Sequence, residues 1–315
     1  MSNGIIVFQK MIVLLTMMMV GFFSYKKRLL NKEACKHLSK LVVNILNPLL
    51  LIDGVIGKES GGNVTLVWLN ILMVVVYFLL LFVLGFPVVK LLGIEKNKTA
   101  VYRVMLMFSN VGFMGIPVIT GLYGSDSTVY IVFYMIGYNV MLYTYGIHLV
   151  RKGNGEGEQK GVGSLTDSLK KIINPGVIAC VVAILIFAFH PPVPGPVADI
   201  ITGLGQPAVP LSMILIGASM AEQNFKEIIT GKRMYAFLSL RLLIIPILAA
   251  LAVSALHLDR QVMGVFGLML AMPVGSIVVL IATDQGADEK LCTRGCVLST
   301  LFSVLTIPVV AMFLP

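Results

Sequence analysis

The sequence is poor in charged residues. Only 12% of its 315 residues are Asp, Glu, Lys or Arg, whereas a soluble domain usually carries about 25%. Hydrophobic residues make up 57% of the chain, and the mean hydropathy is +0.94. This composition does not provide a charged surface for a water-soluble fold. We therefore expect one membrane domain, in which lipid replaces water as the main solvent.

Residues and motifs of catalytic and metal chemistry are also scarce. The four cysteines are scattered, and the pair one helical turn apart, Cys292 and Cys296, has no His or Cys partners nearby. A zinc site needs about four ligands, so these side chains are interpreted as inert thiols. No Gly-Lys-Ser/Thr nucleotide loop, G-x-S-x-G or H-E-x-x-H motif occurs. We expect no enzyme, no metal, no cofactor and no ATP-driven mechanism.

What the sequence contains is ten apolar segments of membrane-spanning length. They lie at roughly 4–24, 38–57, 65–92, 102–123, 128–149, 173–190, 198–220, 234–256, 262–283 and 292–314. The basic cluster follows the first segment instead of preceding it, so this segment is predicted to be a retained anchor and not a cleaved signal peptide.

Positive charge is distributed unevenly between the links. Of the 24 Lys and Arg, 20 lie in the links after spans 1, 3, 5, 7 and 9, and only Lys58 and Arg260 lie in the other links. Basic loops stay on the cytoplasmic side. We therefore predict a multi-pass protein of the cell membrane with both termini outside. Topology explains the net charge of +9, so no nucleic-acid partner is expected.

A polar segment at 151–172 divides the ten spans into two halves, 1–150 and 173–315. Its Gly, Glu and Lys content is typical of a flexible link, here predicted to be cytoplasmic. Prolines recur in the two halves at offsets of 162, 159 and 156 residues, as Pro48/Pro210, Pro87/Pro246 and Pro117/Pro273. Because each half has five spans, the second enters the membrane inverted. The pattern predicts the inverted repeats of secondary transporters.

Spans 4 and 9 carry helix-weakening residues, in "SNVGFMGIPVITGLYG" and "AMPVGS". A proline removes an N–H and displaces the carbonyl four residues earlier, here those of Phe113 and Met269. Lipid tolerates this only where the backbone faces protein or water. We predict that the chain breaks just before Pro117 and again at Pro273. The half-helix N-termini would then favour a carboxylate; the alternative is a simple kink in each span.

Four stretches together resemble the auxin efflux carrier family, which includes plant auxin exporters and bacterial malate or malonate permeases. They are "SNVGFMGIPVITGLYG", "INPGVIACVVAILIF", "QPAVPLSMILIGASM" and "MPVGSIVVLIATDQGADEKLCTRGCVLSTLFSVLTIPVV". The resemblance covers almost the whole chain. The central loop is short and Val278 replaces a second proline of the plant carriers, so the chain is more similar to bacterial members. These departures weaken auxin as the inferred substrate.

The resemblance implies an all-α membrane fold of ten helices in two inverted five-helix repeats, similar to NhaA and the bile-acid symporters. Helices 4 and 9 would be broken and crossed. Helices 1, 2, 6 and 7 would form a scaffold that pairs into a homodimer, and helices 3–5 and 8–10 a moving transport domain. The family pattern places six residues at the crossing: Asn110, Gly115, Ile116, Pro117, Pro273 and Gly275.

Other polar residues within the spans are candidates for the same site. Asn110 would donate to a substrate carboxylate, or else make a packing bond between helices. Asn139 would line the cavity or pack. Ser276 and Ser212 would coordinate substrate or ion, or else permit close helix packing.

Ion or proton coupling has further candidates. Asp53 is the clearest acid within a span; it either couples a proton or contacts water at the outer interface. Asn47 either lines the site or caps the break before Pro48. Arg241 either snorkels to the cytoplasmic surface, pairs with an acid or attracts anions.

These patterns favour a secondary transporter of small organic anions, such as malate, malonate or auxin-like acids, that works by alternating access with a coupled proton or sodium ion. An alternative is a membrane-embedded sensor or regulatory subunit that binds a ligand without moving it. A membrane-embedded enzyme is disfavoured, because the spans contain no catalytic pair.

Overall fold

The structure is a computed structural model that describes residues 3–56, 64–153, 174–222, 231–256 and 258–314. These residues form helices and short links, and the strand pairing among them is limited to one isolated β-bridge. The prediction of an all-helical protein is therefore confirmed for the described part of the chain. Of the predicted link 151–172, residues 154–172 lie outside it, as do Lys58 and His257.

The helices follow one another closely. The α-helices are α1 (Asn3–Lys26), α2 (Lys32–Leu41), α3 (Asn47–Asp53), α4 (Val64–Leu91), α5 (Lys96–Met107), α6 (Ile116–Tyr123), α7 (Thr128–Met141), α8 (Ile147–Gly153), α9 (Pro175–Phe189), α10 (Gly195–Gly205), α11 (Ala208–Glu222), α12 (Lys232–Ser239), α13 (Ile245–Ala255), α14 (Arg260–Ala271), α15 (Ile277–Asp284) and α16 (Glu289–Ala311). The π-helical turns are π1 (Val42–Leu46), π2 (Val111–Gly115), π3 (Leu142–Gly146) and π4 (Leu240–Ile244).

Six helices in the described ranges are long and apolar enough to cross a membrane. They are Asn3–Lys26, Lys32–Asp53, Thr65–Leu91, Gly195–Glu222, Lys232–Ala255 and Glu289–Ala311. These six coincide with predicted spans 1, 2, 3, 7, 8 and 10. Predicted spans 4, 6 and 9 contain shorter apolar helices: Val111–Tyr123, Pro175–Phe189 and Arg260–Ala271. The count of ten spans stays a prediction.

Side-chain caps fix several helix starts. Asn174 accepts a hydrogen bond from the Val177 N–H at 3.1 Å, directly before the proline that opens α9. Asp259 accepts from two N–H groups at the start of α14, and Asp288 accepts from one at the start of α16. Short polar side chains satisfy the N–H groups that a first helical turn leaves unpaired. These residues therefore determine where each helix enters the bundle.

Three of the π turns end two residues before a proline. The prolines are Pro48 after π1, Pro117 after π2 and Pro246 after π4. A proline cannot donate to the carbonyl four residues back, and a wider turn shifts the pairing by one residue. The Asn47 N–H, for example, bonds the Val42 carbonyl, five residues back. The helix thus continues through each of these prolines.

Burial is highest in the helices that stop inside the bundle. In α14 every residue from Val262 to Ala271 is buried. By contrast, α4 exposes large apolar side chains on its outer side, with Trp68 66% and Leu79 59% exposed. This arrangement suits lipid, which solvates apolar side chains without penalty. The polar contacts that could serve function lie in the buried centre.

Small residues let α1 and α11 pack backbone to backbone. A Cβ on Gly217 would lie 1.8 Å from the carbonyl oxygen of Met18, and one on Gly21 would lie 2.0 Å from that of Ile214. Contacts this close exclude any side chain at either position. Small residues are the usual means by which membrane helices approach each other.

Candidate functional site

Two helices stop in the middle of the bundle, and the chain segments that follow them pair with each other. Helix α5 ends at Met107, and α14 ends at Ala271. The Asn110 N–H donates to the Pro273 carbonyl at 2.7 Å, and the Gly275 N–H donates to the Phe108 carbonyl at 2.9 Å. The two extended segments are antiparallel and meet at Ser109 and Val274. Backbone groups freed by each break thus satisfy those of the other.

The first break lies upstream of the predicted position. The sequence predicted a break just before Pro117, but the residues that lie between the helices are Phe108 to Asn110. Pro117 lies two residues after π2, in a helix that begins at Val111 and continues through the proline to Tyr123. The π turn accommodates the ring, while Ser109 and Asn110 offer the backbone hydrogen-bonding alternatives to a helix. The second break was predicted at Pro273, and that residue does lie between α14 and α15.

Gly275 makes the close approach of the two segments possible. A Cβ at this position would lie 2.9 Å from the Ser109 carbonyl oxygen and 3.0 Å from the Tyr138 hydroxyl oxygen. Helix α16 holds the same segment from the other side, where the Val274 N–H donates to Ser299 Oγ at 3.0 Å and the Cys296 thiol donates to the Val274 carbonyl at 3.5 Å. The sequence analysis missed both α16 contacts.

Asn110 lies at the centre of the first break and is 5% exposed. It caps the following helix, because its Oδ1 accepts from the Phe113 N–H at 3.3 Å. Its carbonyl accepts from the Gly115 N–H at 3.2 Å. The side-chain nitrogen has no acceptor among the described residues. The amide is therefore held in place by its oxygen while its N–H groups stay available.

The helix after the first break begins with an N–H that lacks an acceptor. The N–H of Val111 bonds the Ser109 carbonyl, and those of Phe113 and Gly115 bond Asn110. Of these first donors, the N–H of Gly112 finds no acceptor within the described ranges. Free N–H groups and a positive dipole end attract an anion.

The remaining predicted residues of the first half lie close to the second. A Cβ on Gly115 would be 3.6 Å from the Met269 side chain of α14. Ile116 is buried, and Pro117 is half-buried. The structure therefore gathers Asn110, Gly115 and Pro273 into one region, although their roles in binding stay predictions.

Asn139 is engaged with protein partners. Its Nδ2 donates to the Met135 carbonyl at 2.8 Å, and its Oδ1 accepts from Asn174 Nδ2 at 3.1 Å. The bond to Asn174 joins α7 to the start of α9. A substrate would have to displace one of these partners, so a binding role for Asn139 stays untested.

The other candidates differ in placement. Ser276 is exposed and precedes α15, and Ser212 is buried with its hydroxyl donating to the Ala208 carbonyl at 2.5 Å. Asp53 accepts a 2.5 Å hydrogen bond from Thr202, which links α3 to α10.

Asn47 is buried beside Gly112, and its Oδ1 has no partner. Asn47 and Asn110 therefore border the same break from different helices.

Arg241 is the functional candidate that the sequence located least well. The expectation that it snorkels to the surface is wrong, because it is 1% exposed. Its guanidinium donates to the Leu270 carbonyl at 2.8 Å, the Met105 carbonyl at 3.4 Å and Ser109 Oγ at 2.5 Å. Arg241 lies in π4, the wider turn before Pro246. A cation favours helix C-termini, and Arg241 contacts the last turns of both helices that lead into the breaks.

The charge of Arg241 has no carboxylate partner in the described part of the chain. The ion pairs there are Lys32–Glu222, Lys98–Glu95 and Arg233–Glu95, all at the periphery. Ser109 Oγ, one acceptor of Arg241, also shares a 2.7 Å hydrogen bond with the Tyr77 hydroxyl. Carbonyl and hydroxyl oxygens therefore hold the Arg241 guanidinium, and its full positive charge meets no opposite full charge among the described residues.

Outside the spans, basic residues surround the exposed Glu95. Its hydrogen bond to Lys98 at 2.8 Å, together with the charges of Lys98 and Arg233, lowers the pKa of the Glu95 carboxyl. Glu95 therefore stays ionised and offsets part of the positive charge in this link.

Comparison with known proteins places the chain among membrane transporters. A family described as membrane transport protein matches residues 6–311. An uncharacterized transporter of Methanothermobacter thermautotrophicus is 24% identical over 294 residues, covering 93% of this chain and 94% of its own. An uncharacterized transporter of Methanocaldococcus jannaschii is 25% identical over 308 residues, covering 94% and 95%. The chain is therefore a multi-pass membrane transporter rather than an enzyme, and it belongs to the membrane transport protein family of the auxin efflux carrier type.

Proposed function

We propose that this protein is a secondary transporter of small organic anions. The observation that carries the proposal is the position of Arg241, a buried cation at two paired helix breaks with no carboxylate partner in the described ranges. A buried unpaired charge is costly, and an anionic ligand nearby would offset it. The backbone N–H of Gly112 and the side-chain N–H groups of Asn110 add hydrogen-bond donors for a carboxylate.

The proposal includes the ten-helix inverted-repeat fold. In this arrangement α5 to α6 and α14 to α15 are the crossed helices 4 and 9, and the antiparallel pairing at Ser109 and Val274 is their crossing point. Matched proline offsets in the two halves support this assignment. Helices 3–5 and 8–10 would carry the site, and helices 1, 2, 6 and 7 would form the scaffold and a homodimer interface.

Transport would proceed by alternating access in the cell membrane, with both termini outside and the 151–172 link cytoplasmic. The crossing would move as a unit against the scaffold, because two backbone bonds and three Arg241 contacts hold its halves together. Coupling to a proton or sodium ion belongs to the proposal. Asp53 is the candidate for protonation, since its bond to Thr202 joins two predicted scaffold helices.

Uptake into proteoliposomes tests the proposal. The purified protein is reconstituted into vesicles preloaded with unlabelled malate, and entry of radiolabelled malate, succinate, malonate and indole-3-acetate is followed with and without proton and sodium gradients. We expect counterflow of at least one of these acids above protein-free vesicles. Binding of the acids without any entry would instead support the sensor alternative.

Replacing Asn110 by Ala should weaken anion binding. The change removes the free amide N–H groups and the cap on the Phe113 N–H, so we expect a loss of about tenfold in affinity for a transported acid, equivalent to about 1.4 kcal/mol. Isothermal titration of the purified variant measures this. Wild-type affinity in a folded Asn110→Ala variant would contradict the assigned role.

A further inference from the structure

The side chain of Asn47 is buried without a hydrogen bond. It is 8% exposed, its Oδ1 has no partner, and none of the hydrogen bonds within the described ranges includes its Nδ2. Asn139, by contrast, bonds through both amide atoms, and Asn70, whose Oδ1 also lacks a partner, still donates to the Tyr130 carbonyl. A buried acceptor without a donor has lost its water without gaining a partner, so Asn47 weakens the fold as it stands.

Asn47 lies against the first helix break. The position where a Cβ of Gly112 would lie is 3.6 Å from Asn47 Nδ2 and 3.9 Å from its Oδ1. Because Gly112 has no side chain, a ligand can approach its free N–H closely. An unpaired donor of one helix and an unpaired amide of another therefore border the same space. The helix that starts here continues to Tyr123, long enough to have a dipole at its N-terminus.

We propose that Asn47 binds the substrate through a hydroxyl group that the substrate carries beside its carboxylate. The Gly112 N–H and Asn110 hold the carboxylate, and the Asn47 amide accepts from the hydroxyl. This inference rests on the proposed function as an organic anion transporter, and it narrows the substrate class to hydroxy acids.

The chemistry of the amide and the hydroxyl supports this pairing. A hydroxyl both donates and accepts, so it can satisfy an amide in either orientation of its oxygen and nitrogen. An acid without the hydroxyl leaves the amide oxygen buried and unpaired. Sites that provide such a polar group discriminate strongly against analogues lacking the matching group.

The contact would also join two helices that the proposed mechanism moves apart. Asn47 belongs to α3 in the predicted scaffold, whereas Gly112 and Asn110 belong to the predicted transport domain. A substrate held between them bridges the interface at which the domains slide. Hydroxy acids would then stabilise the state in which both walls contact the ligand.

The test compares malate with succinate, which differ only in the hydroxyl. Their dissociation constants are measured by isothermal titration for the wild type, for Asn47→Leu, and for Asn44→Leu. Asn44 is a matched control, because it lies on the same helix but is exposed and bonds the Lys40 carbonyl. We expect the wild type and Asn44→Leu to prefer malate about tenfold. Asn47→Leu should bind malate about tenfold more weakly and succinate unchanged.

Thermal unfolding of the ligand-free proteins separates binding from a structural role. Replacing an unpaired buried amide by an apolar side chain of similar size removes a desolvation penalty, so Asn47→Leu should melt at the wild-type temperature or above it. If Asn47→Leu is not recovered folded, the affinities for malate and succinate are compared in Asn47→Ala instead, since this substitution only removes atoms.

Two results would overturn the role of Asn47 while leaving the proposed function in place. One is equal affinity of the wild type for malate and succinate. The other is an Asn47 variant that keeps the preference for malate, or that melts lower and loses both acids equally. By contrast, a wild type that binds and transports none of the tested acids would overturn the proposed function itself.

Discussion

Replacing Arg241 by Gln should abolish most anion binding while preserving part of the fold. The uncharged amide can still reach one of the acceptors, Leu270 O or Ser109 Oγ, but the positive charge between the helix breaks is lost. For a bound carboxylate roughly 8 Å from the guanidinium, at an effective dielectric constant of about 20, the attraction between the two charges contributes about 2 kcal/mol to binding. This corresponds to roughly thirtyfold in affinity. Titration of the purified variant with a transported dicarboxylate measures this loss.

Two further variants separate charge from geometry at this position. Arg241→Lys keeps the charge but has no planar fork, so we expect much of the affinity to return while the melting temperature stays lowered. Arg233→Met serves as a control, because Arg233 lies on the same span with an exposed side chain that pairs with Glu95; it should change neither quantity appreciably. An Arg241→Gln protein with wild-type affinity would show that the charge does not act on the ligand.

Replacing Gly275 by Ala should separate the paired segments at the helix breaks. The added Cβ would lie 2.9 Å from the Ser109 carbonyl oxygen, and this backbone atom belongs to the pairing itself. Relieving such a contact requires a backbone shift, and overpacking of this kind costs about 1–3 kcal/mol. We expect a lower melting temperature and transport reduced by more than tenfold.

The same substitution elsewhere gives the control for Gly275. A Cβ on Gly203, in α10, would have nothing within 4 Å. Gly203→Ala should therefore transport normally and melt at the same or a higher temperature, because Ala favours a helix over Gly by about 1 kcal/mol. If Gly275→Ala behaved like Gly203→Ala, the close approach at the breaks would not be required for function.

Much of this protein could be predicted from local patterns. Apolar runs and low charge indicated a helical membrane protein, because lipid leaves the helix as the simple way to satisfy the backbone. The residues around Pro273 indicated the second break, and the family resemblance agreed with the match over residues 6–311. These features depend on neighbours in sequence, so they can be recognised without a tertiary fold.

The first break shows where local reasoning failed. Pro117 was the strongest helix-breaking signal, yet a π turn accommodates it and the chain opens at Phe108 to Asn110. Those residues can leave the helix because Pro273 and Gly275, more than 150 positions away, supply backbone partners. Ser109 and Asn110 were the available signal, since short polar side chains compete for backbone hydrogen bonds.

Arg241 and Asn47 illustrate what depended on the tertiary structure. From the sequence, a charged residue seven positions into a span is expected to snorkel to the membrane surface. The packing of α5 and α14 around Arg241 instead buries the side chain, where it caps the ends of both helices. Asn47 is a candidate ligand for the substrate because it lies beside Gly112 and because its Oδ1 has no hydrogen-bond partner. Composition and periodicity determine that a chain enters the membrane as helices. Which polar groups meet inside depends on contacts between distant segments, because each group must find its partner within the protein once water is excluded.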